Sequence, residues 1–126
     1  MLSCVKEIGI SAEYHIINNT NHALQLLKYG YKQDTIQIAE KGNYTIVQNG
    51  GSSSIPPPFE HYQGDSIVIQ FDDAKTLIYK ASESSAEKNI YHQNTYELSD
   101  VVVKERVFYH YVYDFFITTE DYESAK

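Results

Sequence analysis

The residues that could support nucleophilic catalysis are present, but their surroundings do not match a catalytic motif. A Ser, Thr or Cys nucleophile needs a base beside it, and many hydrolases place the Ser in a G-x-S-x-G turn between a strand and a helix. The nearest pattern is Gly50-Gly51-Ser52, which three prolines follow instead of a helix. The single cysteine, Cys4, has no defined His partner. We therefore expect no catalytic residue, although an unrecognised enzyme remains the third interpretation of the chain.

The His and acidic residues predict no metal site. The five His residues are scattered, without an H-x-H, H-x-x-x-H or H-E-x-x-H spacing. The adjacent acids Asp72 and Asp73 are typical of the start of a turn. A phosphate loop would continue into Lys-Ser or Lys-Thr and a helix, which residues 49–52 do not. We expect neither a metal nor a cofactor.

Tyrosine is the residue type most suggestive of binding, with 12 copies in the chain. Tyr109, Tyr111 and Tyr113 alternate along one predicted strand, so their rings share one face. Such a ladder binds carbohydrate when the rings lie flat toward solvent with polar neighbours. Packing between strands explains the same spacing without a ligand, and it is the favoured interpretation.

Composition limits the remaining function classes. The chain has 126 residues and a net charge of −7, with Arg106 as its only arginine, which argues against a nucleic-acid partner. One cysteine excludes an internal disulfide. A chain of this length fits one domain and can bury roughly two-thirds of its unfolded surface in forming a core. No apolar run approaches the ~20 residues of a membrane span.

Hydrophobic periodicity predicts an all-β fold of about seven or eight antiparallel strands, as a β-sandwich or, less favoured, a small open barrel. Period-two alternation marks strands near residues 12–18, 35–39, 44–46, 66–71 and 76–80, with hairpin turns at residues 40–43 and 72–75. The run from residue 101 to residue 117 is too long for one strand and should break near residues 104–106.

Two segments depart from this pattern. Residues 21–30 fit a helix with an Asn N-cap and a Gly end, or a strand with a β-bulge at Leu26-Leu27, and the sequence leaves both open. Residues 118–121 form a Thr-x-x-Asp capping pattern, which predicts one short C-terminal helical turn.

The first residues, Met-Leu-Ser-Cys, resemble the cleavage site of a bacterial lipoprotein, where the cysteine is lipidated, although no complete signal peptide precedes it. Four further segments carry a wider resemblance: YHIINNT (residues 14–20), GGSSSIPPPF (50–59), GDSIVIQFDDAK (64–75) and the tyrosine-rich strand ending ITTEDYESA (117–125). Together they resemble the small lipoproteins of unknown function found in Bacteroides and related bacteria.

This resemblance implies a β-domain anchored to the cell envelope through Cys4, with a cytoplasmic location as the alternative. It also implies O-glycosylation at Thr35 and Ser66, which each follow an Asp and precede an Ile. We expect a tether over residues 1–11 and one monomeric domain over residues 12–126. Its expected role is non-catalytic, structural or in interaction with a glycan or an envelope protein, and the runner-up is glycan binding by the tyrosine ladder.

Overall fold

The computed structural model describes residues 9–30, 33–51, 54–60, 62–83 and 87–126. Within these residues the chain forms eight strands and one short α-helix, and the predicted all-β sandwich is confirmed. In chain order the elements are β1 (Gly9–Asn18), β2 (Leu24–Tyr29), β3 (Asp34–Ile38), β4 (Asn43–Asn49), β5 (Ser66–Phe71), β6 (Thr76–Lys80), a 3₁₀ turn (Gln93–Thr95), β7 (Glu97–Lys104), β8 (Phe108–Ile117) and α1 (Thr119–Ser124).

Each of the two sheets has four strands. Sheet A has the order β4-β1-β8-β7, and sheet B has the order β3-β2-β5-β6. The first and last strands pair with each other in the middle of sheet A, and they run parallel, from Gly9 opposite Phe108 to Asn18 opposite Ile117. The expectation of antiparallel strands throughout is therefore wrong for this central pair. β1 begins at Gly9, so it takes in the last three residues of the predicted tether.

Tyrosine supplies much of the core between the sheets. The Tyr14 ring is stacked on Tyr113 at 5.4 Å between centroids and meets the edge of Tyr96 at 5.3 Å. Tyr96 in turn contacts Phe115 at 4.9 Å. Aromatic pairs add to the stability gained from burial alone, and here they join β1 and β8 to the segment before β7. Five tyrosines, Tyr14, Tyr79, Tyr91, Tyr96 and Tyr113, are buried in this core, so for them packing explains the choice of residue.

The two predicted hairpins have opposite outcomes. β5 and β6 pair across the turn at residues 72–75, as predicted, and Ile67, Ile69 and Phe71 face inward. β3 and β4 do not pair: β3 pairs with β2 in sheet B, whereas β4 pairs with β1 in sheet A. The Gly-Asn turn at residues 40–43 therefore carries the chain from one sheet to the other, and the hairpin prediction is wrong.

Residues 24–29 form a strand, which decides between the two alternatives left open for that segment. Leu24 and Leu26 are buried, and Leu27 lies on the outer face. The register of β2 with β3 and β5 continues without a shift, so the bulge expected at Leu26-Leu27 is absent from this strand. Pairing on both sides outweighs the local helix propensity of the segment.

The C-terminal prediction is confirmed in detail. Thr118 caps α1: its hydroxyl accepts a hydrogen bond from the Asp121 N–H at 3.2 Å, and the Asp121 carboxylate accepts one from the Thr118 N–H at 2.9 Å. After the helix, Lys126 exchanges two backbone hydrogen bonds with Thr76, at 2.8 and 2.9 Å. The chain end thereby occupies the start of the open edge of β6.

The long C-terminal run breaks where the sequence predicts, at a turn between β7 and β8. Glu105 and Arg106 both have positive φ there, 54° and 61°. Consecutive positive φ values are those of type I′ turns, which favour Asn-Gly because other residues pay a steric cost in this region.

We expect the double substitution Glu105→Asn, Arg106→Gly to raise the free energy of unfolding by about 1 kcal/mol. Urea unfolding followed by circular dichroism measures the change. The control is Thr45→Gly on the exposed edge strand β4, where the backbone is extended and glycine should instead destabilise by about 0.5–1 kcal/mol. Equal losses in both variants would contradict a strained turn.

Candidate functional site

The predicted tyrosine ladder faces the inside of the sandwich. Tyr113 is buried, with 5% of its surface exposed, and Tyr109 and Tyr111 are half-buried. Tyr111 and Tyr113 are stacked at 6.4 Å with an angle of 22° between their planes. A coplanar pair exists, but it is turned toward the core, so it offers no open platform to a sugar. Tyr109 lines a surface cavity.

Of the three modification sites expected from the resemblance, the structure describes Thr35 and Ser66, which differ in their accessibility. Cys4 lies in residues 1–8, outside the described residues. Thr35 is exposed on the edge strand β3, and its N–H donates to the Asp34 carboxylate at 2.8 Å. Ser66 is half-buried at the start of β5. Of the two hydroxyls, Thr35 is therefore the more accessible to an enzyme.

Acidic residues and a His meet at the β5–β6 turn. His22, Asp72 and Asp73 bring ligand atoms within 4.8 Å of one another in the described part of the chain. Each has a partner within the protein: His22 Nδ1 lies 2.7 Å from Asp72, and Asp73 accepts the Tyr122 hydroxyl. The His22 ring is also stacked on Tyr122 at 4.0 Å. These contacts hold α1 against the β5–β6 turn. The absence of a metal site, expected from the sequence, stays a prediction.

A connected polar network covers the outer face of sheet A, on its two central strands. Ser11 Oγ lies 2.7 Å from His110 Nδ1, and His110 Nε2 lies 3.4 Å from the Glu13 carboxylate. Glu13 also contacts His15 Nε2 at 2.5 Å, and His15 Nδ1 lies 3.0 Å from Asp114. We call these five residues the outer network. The parallel register creates it, because Ser11 lies opposite His110 and His15 lies opposite Asp114.

Hydrogen-bond chemistry fixes the direction of the bonds in this network. A carboxylate only accepts, so His110 must carry its hydrogen on Nε2 to bind Glu13. In the neutral ring Nδ1 is then an acceptor, and Ser11 donates its hydroxyl hydrogen to it. The hydrogen bond from His15 is the main cause that holds the pKa of the Glu13 carboxyl below its usual value, and the bond from His110 adds to it while burial opposes both. Glu13 is thus held as an anion between the rings of His15 and His110.

A groove of about 630 Å³ adjoins one end of the outer network. Its lining includes Ser11 and His110 from the network, Asn49 from β4, Lys104 from β7 and Phe108. We call this cavity the outer groove. The Phe108 ring is 52% exposed and lies over the backbone of Gly9, where an added Cβ would come within 2.7 Å of the ring. Glycine at position 9 therefore leaves room for one edge of the Phe108 ring to pack against the strand, while about half of the Phe108 surface stays open to solvent.

A slightly larger cavity of about 680 Å³ lies at one end of sheet B. Three glutamines from adjacent strands, Gln25, Gln37 and Gln70, contribute to its wall. They offer amide donors and acceptors, but the aromatic residue in this lining, Phe71, is buried. The outer groove combines an exposed ring with polar groups, and for that reason we regard it as the better candidate site.

Ser11, His110 and Glu13 also have the order of a nucleophile, a base and an orienting acid. Hydrolysis by such a triad needs hydrogen-bond donors for the oxyanion, commonly backbone N–H groups. β1 and β8 are central strands with partners on both sides, so their backbone N–H groups are taken up by the sheet. The arrangement can therefore bind a polar group, but its own strands provide no backbone oxyanion site.

Sequence reasoning missed the outer network and the outer groove. The sequence did contain one indication of the site, the polar residues that alternate with the core residues of each strand. In β1 these are Ser11, Glu13 and His15, and in β8 they include His110 and Asp114. Each set alone is an ordinary solvent-facing pattern. Only the pairing of two strands about a hundred residues apart makes it one site.

Comparison of the chain with protein-family models, curated proteins and solved structures gave no significant match. Among the described residues, no helix has the length and apolar character needed to cross a membrane. The candidate site accordingly rests on geometry alone.

Proposed function

We propose that the protein is a non-catalytic binding domain and that the outer groove is its ligand site. The observation that carries this proposal is the exposed Phe108 ring, which packs against Gly9 beside the hydroxyl of Ser11, the amide of Asn49 and the imidazole of His110. The groove lies on paired strands, and a rigid scaffold lowers the entropic cost of binding.

The ligand class that fits these groups is a neutral carbohydrate. A sugar ring presents an apolar C–H face that stacks on an aromatic side chain, and its hydroxyls bind hydroxyl, amide and imidazole groups at the rim. The net charge of −7 disfavours polyanions. We therefore place the glycan site on the outer face of sheet A, opposite the inward-facing tyrosine ladder that the sequence suggested.

Titration of ¹⁵N-labelled protein with cellohexaose, xylohexaose, laminarihexaose and chitohexaose, followed by NMR, tests this function. We expect at least one of these oligosaccharides to shift the amide signals of β1 and β8 around Ser11 and Phe108. Phe108→Ala should weaken that binding by about tenfold or more. The matched control is Ile78→Ala, which removes a similarly exposed apolar side chain, 54%, from the outer face of sheet B.

Two outcomes would contradict the proposal. One is that none of the four oligosaccharides shifts the groove signals. The other is that Ile78→Ala weakens binding as much as Phe108→Ala.

The choice of binding over catalysis has its own test. Hydrolysis of fluorogenic acetate and butyrate esters should proceed at the same rate with the wild-type protein and with Ser11→Ala. A rate that falls more than about tenfold in Ser11→Ala would show that Ser11 is a nucleophile and would overturn the non-catalytic assignment.

We further propose that the domain is anchored to the cell envelope through a lipid on Cys4. The support is the Met-Leu-Ser-Cys start and the resemblance to Bacteroides-type lipoproteins, and the first described strand begins five residues after Cys4. Labelled palmitate fed to cells that produce the protein should be incorporated and should be lost with Cys4→Ala. Label that persists in Cys4→Ala, or protein found in the cytoplasm, would contradict the anchor.

Intact mass of the native protein tests the modification that the same resemblance implies. A glycan on Thr35 or Ser66 adds mass that Thr35→Ala or Ser66→Ala removes, and the exposure of Thr35 makes it the expected site of the two. A mass equal to that of the polypeptide, with or without the lipid, would exclude O-glycosylation.

A further inference from the structure

Among the described residues, no strand pairs with the outer edge of β7. All eight of its residues are exposed, including Leu98 at 53%, Val101 at 40% and Val103 at 50%. Its described side-chain bonds remain local: Ser99 binds a β8 carbonyl, and Val101 N–H binds the preceding carboxylate of Asp100. A long, apolar, uncovered edge is a site at which another strand adds to a sheet.

The other three edge strands are either in contact with another segment of the chain or shorter than β7. Lys126 occupies the start of β6 through two backbone hydrogen bonds to Thr76. The proline-rich segment reaches β4, where Gln48 Nε2 donates to the Pro58 carbonyl at 3.1 Å. β3 has five residues, against eight in β7. β7 therefore offers the longest apolar edge to a partner.

The sequence of this edge is complementary to itself. Residues 100–104 read Asp-Val-Val-Val-Lys. In an antiparallel pair centred on Val102, Asp100 lies opposite Lys104 of the second copy, and Val101 lies opposite its Val103. The faces agree as well: Val101 and Val103 face inward, opposite Tyr111 and Tyr109, whereas Asp100, Val102 and Lys104 face outward. Opposite charges across a strand pair stabilise it, and here they do so twice by symmetry.

The backbone direction supports the same register. Because Val101 N–H binds Asp100, it points away from β8, toward the open edge. Backbone groups alternate along a strand, so Val103 also presents its groups to that edge, whereas those of Val102 point to β8. In the pair, Val101 exchanges backbone hydrogen bonds with Val103 of the second copy, and Val103 with Val101 of that copy. The Asp100 carboxylate then releases the Val101 N–H and binds Lys104 of the second copy.

We propose that the protein forms a homodimer through antiparallel pairing of two β7 strands about Val102, which joins the two copies of sheet A into one eight-stranded sheet. This departs from the monomer expected from sequence. The inference needs no ligand in the outer groove, although two residues of the β7 edge, Val102 and Lys104, also line that groove.

Charge reversal tests the register by sedimentation velocity over concentrations from about 10 µM to about 1 mM. We expect concentration-dependent dimers in the wild type. Asp100→Lys and Lys104→Asp each place like charges opposite each other, and each should raise the dimer dissociation constant by about tenfold or more. The double variant Asp100→Lys, Lys104→Asp restores opposite charges and should bring the constant back to within about threefold of the wild type. A wild type that stays monomeric, or a double variant no tighter than either single variant, overturns the proposal.

Disulfide trapping tests the centre of the pair in a full-length Cys4→Ser background. Val102 faces its own copy in a non-hydrogen-bonded pair, where Cα atoms lie about 4.5 Å apart, within the range of a disulfide. Val102→Cys should therefore cross-link on oxidation. Val47→Cys should not, although Val47, at the other edge of sheet A, is the more exposed of the two valines, 57% against 37%. Cross-linking of Val102→Cys no faster than Val47→Cys, or preferred cross-linking of Val101→Cys, contradicts this register.

Discussion

Raising the pH above about 10 is expected to unfold the protein, because several tyrosines are neutral and buried in the core. Burial raises the pKa of Tyr91 to about 12, and it also raises the pKa of Tyr14, Tyr79 and Tyr96. All four have less than a tenth of their surface exposed. Ionising any of them inside the fold would leave a phenolate without water.

The direction of the effect follows from linkage between ionisation and folding. Below the unfolded pKa of about 10 the phenols are neutral in both states, and their contribution to stability is complete. Above it the unfolded chain ionises first, so each of the four tyrosines lowers the free energy of unfolding by about 1.4 kcal/mol per pH unit. Four tyrosines together remove about 6 kcal/mol by pH 11, which is comparable with the whole stability of a small domain. Unfolding should therefore be complete between about pH 11 and pH 12.

Tyrosinate absorbance and far-ultraviolet circular dichroism measure the two processes in one titration, and the absence of tryptophan keeps the absorbance signal simple. We expect the buried tyrosines to ionise in one steep step that coincides with the loss of the strand signal. Tyr79→Phe removes one of the four ionisations and should move the midpoint upward by about 0.3–0.5 pH units. Urea unfolding at pH 7 provides the control for any change in stability at neutral pH. Ionisation that proceeds while the dichroism stays constant would contradict the explanation.

Local patterns in the sequence predicted the elements whose partners are near in the chain. The β5–β6 hairpin, the break at residues 104–106 and the Thr118 cap each depend on a turn or a cap within a few residues. The β3–β4 turn has the same Gly-Asn signal as a hairpin, yet it connects different sheets. Turn residues set the local backbone angles, whereas the choice of strand partner depends on the faces that the whole fold buries.

The candidate site could not be predicted because its parts meet only through long-range pairing. Nothing near Ser11 in the sequence indicates that it will lie 2.7 Å from His110. The burial of the tyrosine ladder could not be predicted either. Alternation tells which residues share a face of a strand, but not whether that face is turned toward the core. In β8 the aromatic parity faces inward, and the mixed parity with His110 and Asp114 forms the outer surface.

Loss of the Asn18 side chain is expected to cost about 3–5 kcal/mol of stability. Asn18 is fully buried at the end of β1, and its amide joins two of the passages between the sheets, β1 to β2 and β3 to β4. Nδ2 donates to the His22 carbonyl at 2.7 Å, just before β2, and to the Ala39 carbonyl at 3.0 Å, just after β3. Oδ1 accepts from the N–H and the hydroxyl of Thr20, at 3.0 and 2.6 Å.

Asn18→Ala and Asn18→Asp separate the causes of this loss. Alanine removes all four bonds and leaves a small cavity, so the buried Thr20 N–H loses its acceptor. The His22 and Ala39 carbonyls lose one donor each and keep another, the Thr20 hydroxyl and the Gly42 N–H. Aspartate keeps the shape and the acceptor toward Thr20, but its carboxylate cannot donate to the His22 and Ala39 carbonyls and would repel both. Both variants should therefore lose several kcal/mol, which urea unfolding measures directly.

The adjacent Asn19 provides the matched control. It is exposed, and it contributes backbone bonds, its N–H to the Ile117 carbonyl and its carbonyl to Lys41 Nζ, which alanine retains. Asn19→Ala should change stability by no more than about 0.5 kcal/mol. Equal effects at the two positions would mean that the Asn-Asn pair acts only as a turn former, as its sequence suggests. A large effect at Asn18 alone would show that one buried amide holds the β1–β2 and β3–β4 crossings together.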